Sequence, residues 1–249
     1  MNDVKQEWQR TQLHWDDKST IQSHNVPKSV ILNWRKINHI LQNLCHEKGK
    51  NLVMVDVGCG SGKFYQGLEE FVSLYIGIDP SDKMLSYAST DGSQFLIRGI
   101  GENLPLRSGI ADIVLLKSVL DQCYSPSQVI SESKRVLKDD GWIMISLSNR
   151  DSYYSFIRKI YNRLRGHKGE HVFESSQLFY FKSSEVEDTL KKQNLEIAKS
   201  ISLGYFAFPH FIQWIIPNRV FSALIDFADR IGSAILPKRG GAFIIVGQK

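Results

Sequence analysis

The sequence has few cysteines, and their arrangement does not match a disulfide or zinc framework. Cys45, Cys59 and Cys123 are odd in number, lie far apart and include no Cys-x-x-Cys pair. Disulfide-rich domains and structural zinc sites need paired or clustered cysteines. We therefore expect free thiols, a reducing compartment and no bound metal.

The N-terminus lacks the continuous apolar stretch of a secretory signal. Its first ten residues, MNDVKQEWQR, alternate charge with polarity. A signal peptide requires an apolar core at this place. The sequence therefore predicts a cytoplasmic protein.

Neither positive nor negative residues dominate the sequence, and no repeat or low-complexity tract is visible. The 249 residues contain 31 Lys and Arg interspersed with 26 Asp and Glu, for a net charge of +5. This balance gives no general nucleic-acid footprint. With 42% hydrophobic residues the chain can bury a core, and we expect one domain spanning residues 1–249.

The sequence also lacks a run suited to crossing a membrane. The longest uncharged stretch of this kind lies between Lys199 and Arg219 and is rich in aromatic residues, but Pro209 and Pro217 interrupt it. It barely reaches the ~20 apolar residues that a bilayer requires. An apolar cap over a substrate and an anchor at a membrane surface both remain open.

Short apolar segments alternate with amphipathic ones along the chain. The apolar segments are typical of buried strands, and the amphipathic segments repeat at helical spacing. The predicted strands cover residues 52–57, 74–78, 94–98, 112–116, 142–147, 195–203 and 242–246. The predicted helices cover residues 29–45, 127–137, 153–164, 184–193 and 218–236, a short helix that Ser81 caps, and a helix directly after Gly62.

The alternation predicts an α/β protein. Parallel neighbours need crossover connections, so five strands interleaved with helices indicate a doubly wound parallel sheet with helices on both faces. The two final strands add an antiparallel edge, which gives seven strands in a mostly parallel sheet with an antiparallel last strand. Helical insertions are expected after strands five and six. A turn at residues 139–141 is expected to introduce the fifth strand.

The sharpest motif is the run VDVGCGSG at residues 55–62, at the end of the first strand. Glycines there let the backbone turn tightly and approach a ligand, and a following helix would offer free N–H groups. A dinucleotide fingerprint needs glycine where Lys63 stands, so NAD is disfavoured. A P-loop needs a hydroxyl where Phe64 stands, so ATP is disfavoured too.

Together with Asp79 at the end of the second strand, residues 51–149 resemble the class I S-adenosylmethionine-dependent methyltransferases, in the subgroup of ubiquinone- and menaquinone-type methylases. The resemblance implies a Rossmann-like fold and S-adenosylmethionine as the cofactor. It implies that Asp79 takes the ribose hydroxyls and that Asp56 orients the glycine loop. The loop beside the methionine part of the cofactor would use Gly58, Gly60 and Gly62.

Further segments agree with this family in order and spacing. Residues 102–106 and 111–114 resemble the stretches around the adenine and the fourth strand, and residues 135–141 resemble the signature before the fifth strand. One position departs from the family pattern, because Ile100 stands where the subgroup has an aspartate for the adenine amino group. Glu102 or water is expected to take that role, and the N–H of Gly101 to meet a ring nitrogen.

Candidates for catalysis are fewer. Asp121, Lys117 and Ser118 follow the fourth strand, where ligands of open α/β sheets bind; we assign Lys117 to the cofactor and Asp121 to proton removal. His171 is a second candidate base because histidine titrates near neutral pH. Loop solvation, helix capping or an ordinary surface histidine would explain the same residues without catalysis. For His210, too, a role as a catalytic base and an ordinary structural role are both open.

The chain is expected to divide into a cofactor-binding core at residues 51–149, an N-terminal helical cap at residues 1–50, and substrate-cap insertions at residues 150–182 and 204–240. The helix at 153–164 carries basic residues on one face, and peripheral membrane contact is expected through 150–168 or 204–236. A simple cap over the sheet edge is the alternative.

The resemblance implies methyl transfer from S-adenosylmethionine to a small-molecule acceptor, and the apolar insertions favour a hydrophobic or lipid-like one. The donor is already activated, so the protein mainly has to align the acceptor and exclude water. A non-catalytic S-adenosylmethionine-binding scaffold is the alternative. An RNA methyltransferase is disfavoured because residues 117–120 contain no Asn-Pro-Pro-Tyr type motif.

Overall fold

The computed structural model describes residues 28–88, 94–152, 155, 179–205, 213 and 215–249. Strands and helices alternate through most of this chain. The strands are β1 Leu52–Val57, β2 Val72–Asp79, β3 Gln94–Arg98, β4 Ala111–Lys117, β5 Leu137–Ser148, β6 Glu196–Leu203 and β7 Ala242–Gln248. The helices are α1 Lys28–Lys48, α2 Asp82–Ser86, α3 Pro126–Val136, α4 Ser183–Lys192 and α5 Asn218–Ile235.

The strands form one seven-stranded sheet in the order β3-β2-β1-β4-β5-β7-β6. The first five strands pair in parallel, and β7 runs antiparallel between β5 and β6. The predicted fold class, with its antiparallel last strand, is confirmed. The strand order reverses between β1 and β4, and ligands of doubly wound sheets bind at such a switch point.

The core consists of two apolar layers, one on each face of the sheet. Successive side chains of a strand point to opposite faces, so Val55 packs with residues of α3 and α4 while Met54 packs with residues of α1. Leu41 of α1 and Val129 of α3 are fully buried in these two layers. Helices on both faces confirm the doubly wound arrangement.

The prediction of a helix directly after the glycine loop is wrong. A three-residue 3-10 helix, Lys63–Tyr65, stands in its place. Gly62 and Gly67 both have left-handed backbones, with φ of 69° and 83°, and the residues between them are too few for a regular α-helix. Tyr65 is buried against Tyr75, with ring centres 5.1 Å apart, which holds this segment close to β2.

The turn predicted at residues 139–141 lies inside β5 rather than before it. Leu137 pairs with Ala111 and Trp142 pairs with Ile113, so the residues between Leu137 and Trp142 bulge out of the ladder. Asp140 takes a left-handed conformation there, with φ of 65°. The turn chemistry was identified correctly, and the strand simply continues on both sides of it.

Several predictions fall outside the described residues. These are residues 1–27 of the N-terminal cap, the basic helix at 153–164, His171, His210, most of the insertion at 150–182 and most of the aromatic stretch at 206–214. For the insertion at 204–240, α5 is described and confirms a helix between β6 and β7.

Candidate functional site

A cavity of about 480 Å³ opens at the carboxyl ends of β1, β2 and β4. Its floor consists of the segments that directly follow these three strands, and α1 forms one wall. Seven of the residues that the sequence singled out lie in this lining: Asp56, Gly58, Gly60, Asp79, Gly101, Glu102 and Lys117. Residues from four separate segments of the chain are thus brought to one place.

The glycine loop is tied to the end of β2. The N–H of Gly58 donates to the carbonyl of Ile78 at 2.7 Å, and the N–H of Gly60 donates to Oδ2 of Asp79 at 2.9 Å. Gly58 has a φ of 70°, and a Cβ at this position would lie 2.6 Å from Cγ2 of Val119. Glycine is therefore required both by the backbone conformation and by the closeness of the β4 loop.

Asp79 is buried at the cavity, with 9% of its surface exposed. Its Oδ1 accepts the N–H of Ser81 at 2.9 Å, and its Oδ2 accepts the bond from the glycine loop. A carboxylate only accepts hydrogen bonds, and these two bonds from backbone N–H groups fix its orientation. Asp79 thus joins the two loops and presents a carboxylate to the cavity.

Asp56 lies deeper, at the base of the glycine loop, and is 1% exposed. Its Oδ2 accepts the hydroxyl of Tyr75 at 2.7 Å. Burial raises the pKa of Asp56 to about 7; the Tyr75 bond and the charge of Lys117 lower it, while the charge of Asp79 raises it. The tyrosine holds the carboxyl in one orientation, and desolvation makes it a group that titrates near neutral pH.

Glu102 has a structural task besides facing the cavity. Its Oε1 accepts the N–H groups of Tyr124 at 2.8 Å and Ser125 at 3.3 Å, just before α3 begins. Burial raises the pKa of Glu102, and the bonds from backbone N–H groups oppose that rise. The neighbouring Gly101 is tightly packed, because a Cβ there would lie 3.1 Å from side chains of Val57 and Val129.

The sequence predicted an N-terminal helical cap but did not single out the residues of α1 that line the cavity. Trp34 and Arg35 of this helix line the cavity. The ammonium of Lys63 lies 5.2 Å from the Trp34 ring centre and that of Lys117 lies 5.6 Å from it, which is within the range of cation–π attraction. Trp34 was visible only as one apolar position of an amphipathic helix, and nothing in that pattern showed which face would meet the cavity.

Two predicted residues lie elsewhere. Gly62 is absent from the described lining; a Cβ there would meet Oε1 of Gln94 at 3.1 Å, so this glycine serves the packing of the loop against β3. Asp121 is buried, and its carbonyl accepts the N–H of Phe179 at 3.2 Å; it too is absent from the described lining. The proton-removing roles of Asp121 and His171 stay predictions.

All three cysteines are free and buried. Cys59 and Cys123 line the cavity. Burial raises the pKa of both of these thiols and raises that of Cys45 to about 12. Thiols of this kind stay protonated and act as small apolar residues.

The sheet order, the glycine loop and the carboxylate at the end of β2 support a class I S-adenosylmethionine-dependent methyltransferase. Residues 55–145 match the family model described as a methyltransferase domain. None of the helices in the described part of the chain combines the length and apolarity needed to cross a bilayer.

Among individual proteins, the chain is similar to an uncharacterized protein of Methanocaldococcus jannaschii, with 29% identity over 64% of this chain and 77% of the relative. It is 28% identical to the ubiquinone biosynthesis O-methyltransferase of Dechloromonas aromatica, over 61% of this chain and 68% of the relative. A solved structure from Thermotoga maritima, described as a possible histamine N-methyltransferase, has a TM-score of 0.63 at 18% identity and covers 96% of this chain and 99% of its own.

The cofactor of this class is S-adenosylmethionine, and the residues of the cavity fit it. The volume is in the range of small-molecule sites. The floor at Gly58 and Gly60 carries no side chain, and a Cβ at Gly60 would lie 3.0 Å from Cε of Met84. Asp79 supplies a carboxylate fixed by two backbone bonds beside that floor.

Proposed function

We propose that this protein transfers a methyl group from S-adenosylmethionine to a small apolar acceptor. The observation that carries the proposal is the joining of the glycine loop to Asp79 by the 2.9 Å bond from Gly60, at a cavity that also has aromatic and apolar walls. Among the apolar lining residues are Ile31, Trp34, Phe64, Met84, Ile100 and Val119.

The proposed roles follow from position. Asp79 binds the two ribose hydroxyls, since a carboxylate accepts two hydrogen bonds at once. Gly58 and Gly60 leave room for the methionine part, and Asp56 holds their loop in place. Gly101 and Glu102 bind the adenine, near Ile100, which stands where the family usually has an aspartate. Lys117, which lines the same cavity, also contacts the cofactor.

The bound cofactor supplies a methyl group already activated by its sulfonium charge. The chain's own residues then have to hold the acceptor in line and keep water out. The ring of Trp34 and the side chains of Phe64 and Met84 provide such a surface. If the acceptor has to lose a proton, we propose Asp121 or His171 for this task.

An apolar acceptor is supported by these walls and by the ubiquinone biosynthesis relative. We further propose that the chain works as a single cytoplasmic domain. In this arrangement residues 51–149 bind the cofactor, and residues 1–50, 150–182 and 204–240 shape the acceptor side, partly at a membrane surface. The position of α1 against the cavity supports the assignment of the N-terminal cap.

The test uses the full chain with S-adenosylmethionine labelled in its methyl group. Two acceptors are compared, a catechol with a prenyl tail and the same catechol without the tail. We expect label in the tailed product, at a higher kcat/KM than for the tail-less compound. The Asp79→Ala variant should be nearly inactive, while Asp82→Ala, an exposed carboxylate paired with Arg98, should match the parent protein.

Equal rates on both catechols would contradict an apolar acceptor site. If neither catechol is labelled, a lipid extract of cells is the second acceptor source. Cofactor binding without any labelled product in that extract would favour the scaffold alternative.

A further inference from the structure

The helix α5 carries an exposed apolar stripe along its whole length. Five residues form this α5 stripe: Val220, Leu224, Phe227, Ile231 and Ile235. They are exposed by 51, 42, 64, 41 and 70%. At 3.6 residues per turn their spacing places them within about 80° of one another on the helix surface. Single exposed apolar residues are ordinary, but a contiguous row of this kind marks a contact surface.

The opposite side of α5 is fixed, so the stripe cannot turn inward. Phe221 and Ile225 are buried, and Oδ1 of Asp229 accepts the N–H of Tyr205 at 2.9 Å. A Cβ at Gly232 would lie 2.3 Å from the Tyr205 ring, so the helix rests directly on this ring. The side chains of the stripe therefore face away from the sheet.

The charged residues beside the stripe carry a small excess of positive charge. Arg219 and Arg230 are exposed and lie along one flank of the stripe. The acidic residues of the same helix, Asp226 and Asp229, are both bound by Lys36 of α1 at 2.8 Å. Lys36 offsets one of these two carboxylates, so α5 together with Lys36 keeps a net charge of +1, and the whole chain has a net charge of +5.

The stripe is connected to the cavity through α1. Lys36 lies on the same helix as Trp34 and Arg35, which line the cavity. The ammonium of Lys28, at the start of α1, also donates to the carbonyl of Ile216 at 3.0 Å. A surface bound by α5 would thus lie one helix away from the proposed acceptor site.

We infer that the α5 stripe docks on the surface of a bilayer with anionic headgroups. An apolar helix face with basic residues beside it lies in the plane of the interface, with its apolar side chains among the acyl chains and its basic groups at the phosphates. Phe227 and Ile231, at the middle of the stripe, supply the apolar contact. Arg219 and Arg230 supply the charge complementarity. The binding does not depend on methyl transfer.

The test is co-sedimentation of the full chain with vesicles of phosphatidylcholine alone and of phosphatidylcholine mixed with phosphatidylglycerol. We expect binding to the anionic vesicles that weakens with added salt. The double substitution Phe227→Ser and Ile231→Ser should lower the partition coefficient by about tenfold or more. The matched control is Phe95→Ser, because Phe95 is 59% exposed on β3, the edge strand at the other end of the sheet, and should bind like the parent.

A second variant, Arg219→Gln with Arg230→Gln, should lose the preference for anionic vesicles and keep its fold. Binding of S-adenosylhomocysteine, measured in every variant, shows that the cavity is intact and separates this test from the methyl-transfer test. The proposal is overturned if the parent does not bind anionic vesicles or if the Phe227→Ser and Ile231→Ser variant binds as well as the parent. It is also overturned if the parent forms a dimer that this variant abolishes and neither protein binds vesicles.

Discussion

At the scale of the residue, two carboxyl groups of the cavity differ in what surrounds them. Asp79 accepts hydrogen bonds from two backbone N–H groups at the edge of the cavity, whereas Asp56 is fully buried and accepts a hydrogen bond from the hydroxyl of Tyr75. Backbone donors favour a charged carboxylate, and desolvation disfavours it. The same residue type is therefore held beside the cavity by backbone N–H groups at position 79, where we propose that it binds the cofactor, and is buried against Tyr75 at position 56.

Replacing Asp79 by alanine should weaken the affinity for S-adenosylhomocysteine by about 1.5 to 3 kcal/mol, the range for hydrogen bonds to a charged group. This corresponds to roughly a tenfold to 150-fold higher Kd. Isothermal titration calorimetry measures the change. Asp82→Ala is the control, since Asp82 pairs with Arg98 at the exposed surface, and a Kd for Asp79→Ala equal to that of this control would remove Asp79 from the site.

Asp56 should make the stability of the protein depend on pH. Burial raises its pKa from 3.8 to about 7 in the folded state. Between these two values the unfolded chain has released the proton and the folded protein still holds it, so the free energy of unfolding falls as the pH rises. Above about pH 7 the loss is complete.

The variant Asp56→Asn cannot titrate and keeps an oxygen for the hydroxyl of Tyr75. Its free energy of unfolding relative to the parent should rise by at least about 1 kcal/mol between about pH 5 and about pH 8. Urea unfolding at both pH values measures this difference, and every other carboxyl is common to the two proteins. A difference that stays constant with pH would show that Asp56 is charged throughout.

At the scale of the element, local patterns predicted the strands better than the loop. β1 and β3 have the predicted bounds, and β5 begins before the predicted turn because its ladder continues around a bulge. The helix after Gly62 was wrong because the glycines that permit the loop also end regular structure on both sides of Lys63–Tyr65. The sequence shows the glycines on both sides of this segment, but only the packing of Tyr65 shows the path that the backbone takes between them.

The glycine loop gives a prediction with an internal control. Gly58 and Gly109 have nearly the same backbone conformation, with φ of 70° and 68°. A Cβ at Gly58 would lie 2.6 Å from Val119, while a Cβ at Gly109 would meet nothing within 4 Å. Gly109→Ala should therefore cost only the left-handed strain of about 1–2 kcal/mol.

Gly58→Ala should cost roughly 1–3 kcal/mol more, because crowding adds to the strain. It should also weaken cofactor binding, while Gly109→Ala should not. Chemical denaturation and calorimetry on both variants measure the two effects. Equal losses of stability would mean that Val119 moves aside and that the loop is less confined than its contacts indicate.

At the scale of the whole molecule, the sequence singled out residues of the proposed cofactor side but not the residues of α1 on the proposed acceptor side. Asp79 and the glycines belong to strand ends, whose position follows from the parallel sheet. Trp34, Arg35 and the cationic pair at the Trp34 ring depend on how α1 packs across the sheet, which no local pattern records. The exposure of the α5 stripe likewise depends on how α5 packs, through buried Phe221 and Ile225 and the contact between Gly232 and Tyr205.

A crystal structure of the full chain grown with S-adenosylhomocysteine would show where the nucleoside binds. We expect the nucleoside above the glycine loop, with its ribose hydroxyls within hydrogen-bond distance of Asp79. Ligand density at another place, or side chains filling the space above Gly58 and Gly60 at saturating ligand, would contradict it.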